Sequence, residues 1–132
     1  MNGARWVQQQ ILDTYPRAAL KVYAVWYAMY PSDARERWRP SLLPDPRVEH
    51  WWDERRVVGT RLLKELAPYQ ARRAPGSKEF REEVLWDAYL LFDARATWGT
   101  SMPAPVSWGY TILAAREALA RQVAEQMRRQ RQ

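Results

Sequence analysis

The 132-residue chain contains no cysteine and a single histidine, His50. The first absence excludes thiol catalysis, thiolate metal sites and disulfides together, and the second excludes any site that needs two imidazoles. Long apolar runs are missing too. Nowhere do about 18 apolar residues follow one another, and the opening text "MNGARWVQQQILDTYPR" places polar residues where a signal peptide needs an apolar core. A cytoplasmic protein with no membrane partner is therefore expected. Phenylalanine is scarce, at two residues, yet with eight Trp and seven Tyr the composition is 47% hydrophobic. That is ample for one packed domain over residues 1–132, without metal or disulfide support.

The net charge of +6 comes largely from arginine, much of it in "ARRAPGSK" and in the tail "RQVAEQMRRQRQ". Basic charge of this size permits loose attraction to nucleic acid or to anionic partners, but it speaks to solubility and encounter rather than to fold.

Hydrophobic periodicity outlines the elements. Trp6, Val7, Ile11 and Tyr15 predict a helix over 4–15, closed by Pro16. "LKVYAVWY" reads as a strand covered on both faces. Asp33, with Glu36 three residues on, is a capping box for a short helix limited by Pro40. "RVEHWWD" is a second strand, with Val48, His50 and Trp52 on one face and Glu49 and Trp51 on the other. Val58, Leu62, Leu63 and Leu66 then line a helix over about 54–67. The polar stretch around 68–82, with its Pro-Gly, reads as a flexible surface insertion. "VLWDAYLLF" and "VSWGY" are the last strands, too close in sequence for a parallel crossover and so antiparallel. Ile112, Ala115, Leu119, Val123 and Met127 mark a C-terminal helix with a basic end. With right-handed crossovers the first two strands run parallel and the last two form a hairpin on the same sheet.

The text "VYAVWYAMYPSDAR", a strand ending in a Trp-bearing turn that enters a helix, together with the "AYLLF"/"VSWGY" hairpin, resembles the thioredoxin-like fold over most of residues 18–127. The resemblance implies an α/β domain with a small mixed β-sheet flanked by helices. It also implies where the dithiol apparatus would lie. Aligning Trp26 with the family's tryptophan sets Tyr30-Pro31-Ser32-Asp33 at the Cys-x-x-Cys positions, Met29 at the second tryptophan and Ala24 at the buried acid. The family's cis-proline would fall near Trp86-Asp87, where this chain has no proline. Thiol exchange needs a thiolate nucleophile, so a member built this way keeps the fold without the redox reaction. In the family the corresponding turn faces partner chains, and the glutathione transferases use a Tyr or Ser nearby to activate a bound thiol. Tyr30, Pro31 and Ser32 are named on that basis.

No catalytic constellation, cofactor site or metal site emerges. Ser32 and Asp33 at a helix start suit an anion, but Asp33 itself satisfies those amides as a cap. His50 has no recognisable nucleophile partner and reads as structural rather than as a general base. Asp87 is costly to bury inside an apolar strand, so it is either paired with donors or set at the strand's exposed start. Glu54-Arg55-Arg56 and Glu79–Glu83 lack ligand spacing and read as solvated faces. Gly99–Ser101 is too short for a phosphate loop. The tryptophans are more numerous than one small core encloses, and Trp51, Trp52, Trp98 and Trp108 are the candidate surface for a protein partner or a homodimer. The alternative is a nucleic-acid-binding protein in which exposed aromatics stack bases beside the Arg-rich segments.

Overall fold

In a computed structural model, residues 2–28 and 39–132 are described. The chain divides into two compact units, Met1–Gly59 and Thr60–Gln132.

The first unit opens with α1 (Asn2–Val7), which widens into a π-helical turn at Gln8–Leu12. Strands β1 (Val22–Trp26) and β2 (Val48–Trp52) pair in parallel, Val22 opposite Val48 through to Trp26 opposite Trp52. The capped helix expected at Asp33 lies outside the described residues. Side chains alternate across a strand, so Val22, Ala24 and Trp26 share one face with Val48. They pack there on Leu12 and Leu43, with Ala4, Val7 and Leu20 around them.

One side chain ties this unit together. Arg47 donates through Nη1 to the carbonyls of Tyr15 (2.6 Å) and Ala18 (3.2 Å), and through Nη2 to the carbonyl of Leu12 (2.9 Å). The same guanidinium grips Asp45 in a two-pronged pair, Nε to Oδ1 at 2.9 Å and Nη2 to Oδ2 at 2.8 Å. The Leu12 carbonyl at the end of the N-terminal helical segment, and the Tyr15 and Ala18 carbonyls in the turn after it, are thus tied to the residue that immediately precedes β2. Asp45 is neutralised where it sits, and its backbone N–H donates to Gln8 Oε1 (3.3 Å).

The second unit contains the rest of α2 (Val57–Glu65), a 3-10 segment at Ala67–Arg72, strands β3 (Ala88–Leu91) and β4 (Ser107–Tyr110), and α3 (Arg116–Gln130). The hairpin is antiparallel, Ala88 opposite Tyr110 and Leu91 opposite Ser107. Leu66, Leu85, Met102 and Trp108 form the buried centre, with Leu62, Leu63 and Phe80 packed on them. Beside it, the Ser107 hydroxyl donates to Gln122 Oε1 (2.5 Å), and the Tyr89 hydroxyl lies 2.9 Å from Ser107 Oγ. Strand β3 starts later than its apolar text suggests. Asp87 has a positive φ of 46°, a left-handed geometry that does not belong to a strand. That puts Asp87 at the strand's start, and burial raises its carboxyl above the ordinary carboxylate value.

Two expectations change. The fold is mixed α/β, with the parallel pair and the hairpin both formed, but the described strands make two two-stranded sheets rather than a single one. A hydrogen-bonding reason is visible at β4, whose second edge is already used. Ala74 N–H donates to the Trp108 carbonyl (2.8 Å), Tyr110 N–H donates to Ser77 Oγ (2.9 Å), and Ser77 Oγ returns a bond to the Tyr110 carbonyl (3.0 Å). Residues 73–78, within the stretch set apart as an insertion, therefore occupy the place of a neighbouring strand. No helix among the described residues is long and apolar enough to cross a membrane.

Arg47→Met removes the side-chain donors but keeps much of the apolar stem; it leaves the Asp45 carboxylate with only the backbone N–H of residue 47 and takes one donor from each of the Leu12, Tyr15 and Ala18 carbonyls. We expect it to lower stability by about 1–3 kcal/mol in urea unfolding, the scale of losing charged hydrogen bonds in a half-buried pair. The pair also sets an acid limit. Hydrogen bonding from the Arg47 guanidinium, then from its backbone N–H, holds the Asp45 carboxyl at about 2 against an ordinary 3.8. A depressed folded-state value means that this stabilisation is complete above about pH 4 and is lost as pH falls through about 2. Circular dichroism at fixed sub-denaturing urea should show that loss in the wild type, and Asp45→Asn should flatten it.

Candidate functional site

The face of the β1–β2 pair opposite the apolar cluster is the most distinctive surface of the first unit. Alternation turns Tyr23, Val25, Glu49 and Trp51 away from Leu12 and Leu43. The register sets Tyr23 opposite Glu49 and Val25 opposite Trp51, so the two rings are diagonal neighbours on adjacent strands. Tyr23 is 64% exposed and Trp51 56% exposed. Lys21 closes one end, its Nζ 3.4 Å from Glu49 Oε2 and 5.6 Å from the Tyr23 ring centroid. Among the described residues the face is thus aromatic and carries one cation and one anion. Strand β1, expected to be covered on both faces, leaves Tyr23 exposed on its outer face, with Val25 half-buried beside it.

The other candidates fall elsewhere. Trp52 is half-buried and, by alternation, shares the side of Val48 and His50. Trp98 belongs to the second unit, 56% exposed, its ring edge-to-face with Phe92 at 5.5 Å. Trp108 is a correction: it is 2% exposed at the centre of the second unit's core, and its indole N–H donates to the Tyr69 carbonyl (2.9 Å). With the ring enclosed and the polar edge bonded inside the chain, it offers nothing to a partner. Tyr30, Pro31, Ser32 and Asp33 lie outside the described residues.

His50 is built into the structure on both nitrogens. Nδ1 accepts from the Trp26 indole N–H (3.0 Å), so Nε2 carries the proton and donates to the Leu43 carbonyl (3.0 Å). The two rings also stack, 6.1 Å apart. A base needs a free lone pair facing substrate, and here that lone pair holds an indole.

Two groups that look functional have no strong signal in the sequence. Asp53, buried at the end of β2, accepts from Val57 N–H (2.9 Å), Val58 N–H (2.8 Å) and Gly59 N–H (3.2 Å). It fills the anion place at the start of α2, which an aspartate ahead of an apolar-periodic run could have signalled. Arg47 is the other, hidden in the turn-rich "LLPDPR". Several further arginines also spend donors on backbone carbonyls: Arg56 on Ala28 (2.8 Å), Arg61 on Thr100 (2.7 Å), Arg72 on Pro105 (2.8 Å) and Arg116 on Leu113 (2.7 Å). Part of the basic composition is structural wiring. Among the described residues, no three His, Asp or Glu side chains gather as metal ligands. No protein-family model, curated protein or solved structure matches the chain.

If Trp51 is a surface ring and His50 a structural one, truncation should separate them. Trp51→Ala should change unfolding free energy by less than about 1 kcal/mol. His50→Ala, which orphans the Trp26 indole and the Leu43 carbonyl, should cost about 1–3 kcal/mol by the same urea titration.

Proposed function

We propose that this chain is a non-enzymatic binding module that recognises a protein partner through the outer face of β1–β2, with Tyr23, Val25 and Trp51 at its centre. One observation carries the reading: two large rings stand exposed on adjacent strands of a parallel pair, an arrangement normally covered on both faces. Exposed aromatics of this kind supply large contact area at little side-chain entropy cost, which is why Trp and Tyr dominate interface centres. A thioredoxin-like ancestry is supported by the element order, a parallel crossover pair followed by a hairpin and a C-terminal helix. In that reading the chain is a non-redox member, cytoplasmic, whose Tyr30-Pro31-Ser32 turn is a remnant of the family's partner-facing surface.

The nucleic-acid alternative is weaker on two physical grounds. Glu49 sits among the stacking rings and would repel a phosphate chain, and the one lysine beside it is already paired with that carboxylate. The arginines named above use donors on the chain's own carbonyls rather than presenting all of them outward.

Tagged protein recovered from its native host at low and moderate salt, with and without nuclease, tests the choice. We expect a stoichiometric protein, a copy of this chain included, that resists nuclease and moderate salt and is lost with the Tyr23→Ser/Trp51→Ala double variant. Nucleic acid retained only at low salt, with no such protein, would overturn the reading, because counterion release makes phosphate binding steeply salt-dependent.

A further inference from the structure

We propose that the occupant of the β1–β2 outer face is the same face of a second copy of this chain; this rests on the reading that the face is the recognition surface. Charge complementarity favours that occupant. Among the described residues the face holds one cation, Lys21, and one anion, Glu49, on different strands, with Tyr23, Val25 and Trp51 beside them. A surface with one charge of each sign is matched by itself when a two-fold axis exchanges the strands. Such an axis, lying between the faces and parallel to the strands, sets β1 of one copy over β2 of the other. Because Tyr23 is level with Glu49 and Val25 with Trp51, each Tyr23 hydroxyl then meets a Glu49 carboxylate and each Trp51 ring covers a Val25. Lys21 keeps an anion in either state, exchanging its own Glu49 for that of the second copy or sharing both.

An unrelated partner would have to reproduce this pattern, whereas a second copy carries it by construction. A purely acidic partner meets Glu49, and a purely basic one meets Lys21. The face is small, and each copy carries a net charge of +6. The dimer therefore belongs at the weak end of specific interfaces and is favoured when salt screens the overall repulsion.

Sedimentation velocity on the full chain, from roughly 5 to 500 µM in about 0.15 M salt, where the Debye length is about 8 Å, reads this directly. We expect the wild type to pass from monomer to dimer across that range and Trp51→Ala to weaken association at least tenfold. Lys21→Glu leaves two acids on the face and Glu49→Lys leaves two bases, so each variant alone should stay monomeric. An equimolar mixture of the two should recover the dimer, which also shows that neither variant is merely misfolded. A wild type monomeric throughout would overturn the proposal, as would a dimer that Trp51→Ala and both charge changes leave intact, or a mixture that does not recover. If self-association fails in any of these ways while the Tyr23→Ser/Trp51→Ala variant still loses a different, nuclease-resistant protein, the recognition face stands and only its occupant is wrong. If that variant loses nothing, both readings fall.

Discussion

The Arg47 guanidinium is the constraint on which the first unit depends. It joins the end of the N-terminal helical segment to the start of β2, using donors on three carbonyls and on Asp45. Neither element is long enough to stand alone: α1 runs six residues and β2 five. Once the guanidinium fixes their separation, Leu12, Leu43 and Val48 are held in contact, and β1 can pair along β2 with an apolar side already in place. The direction in which the outer face points is a consequence. The same register that packs Val22, Ala24 and Trp26 on Leu12 and Leu43 turns Tyr23 and Trp51 outward, because alternation on a strand leaves no other choice.

His50 and Asp53 continue this logic at the far end of β2. The imidazole links Trp26 on the neighbouring strand to Leu43, and the carboxylate caps α2 with three amides. Both are polar groups taken out of water with their bonds supplied, so they specify the arrangement instead of opposing it. Functional readings of either would need a free lone pair or an open amide. Among the described residues the outer face of β1–β2 is aromatic and carries one charge of each sign, which favours protein contact over chemistry on a small molecule.

The strands and helices were largely legible in the sequence because their apolar periodicities are strong. Both strand pairings follow from connection length, and the inner and outer faces of β2 follow from "RVEHWWD" alone. Three things were not legible. The single exposed face of β1 was hidden because "VYAVW" is apolar on both sides, and periodicity cannot distinguish a covered face from one awaiting a partner. Trp108 and Trp51 look alike in composition, and only the fold decides that one indole donates to the Tyr69 carbonyl in the core while the other faces solvent. The edge of β4 is occupied by residues 73–78, whose polar, Pro-Gly text reads as an insertion because Ser77 binds the strand through its side chain rather than through a strand-like pattern.

The central claim is that Tyr23 and Trp51 form an open face on the isolated chain that becomes covered on association. Broadening of assigned NMR signals by a soluble paramagnetic agent measures it most directly, with the buried Trp108 indole as internal reference. The account predicts that in dilute protein the Trp51 indole and Tyr23 ring signals broaden while Trp108 is protected, and that raising the protein concentration protects Trp51 and Tyr23 as well. A Trp51 signal protected at every dilution would mean that the chain covers its own face, and one broadened at every concentration would mean that no second copy sits there; either result would contradict the account.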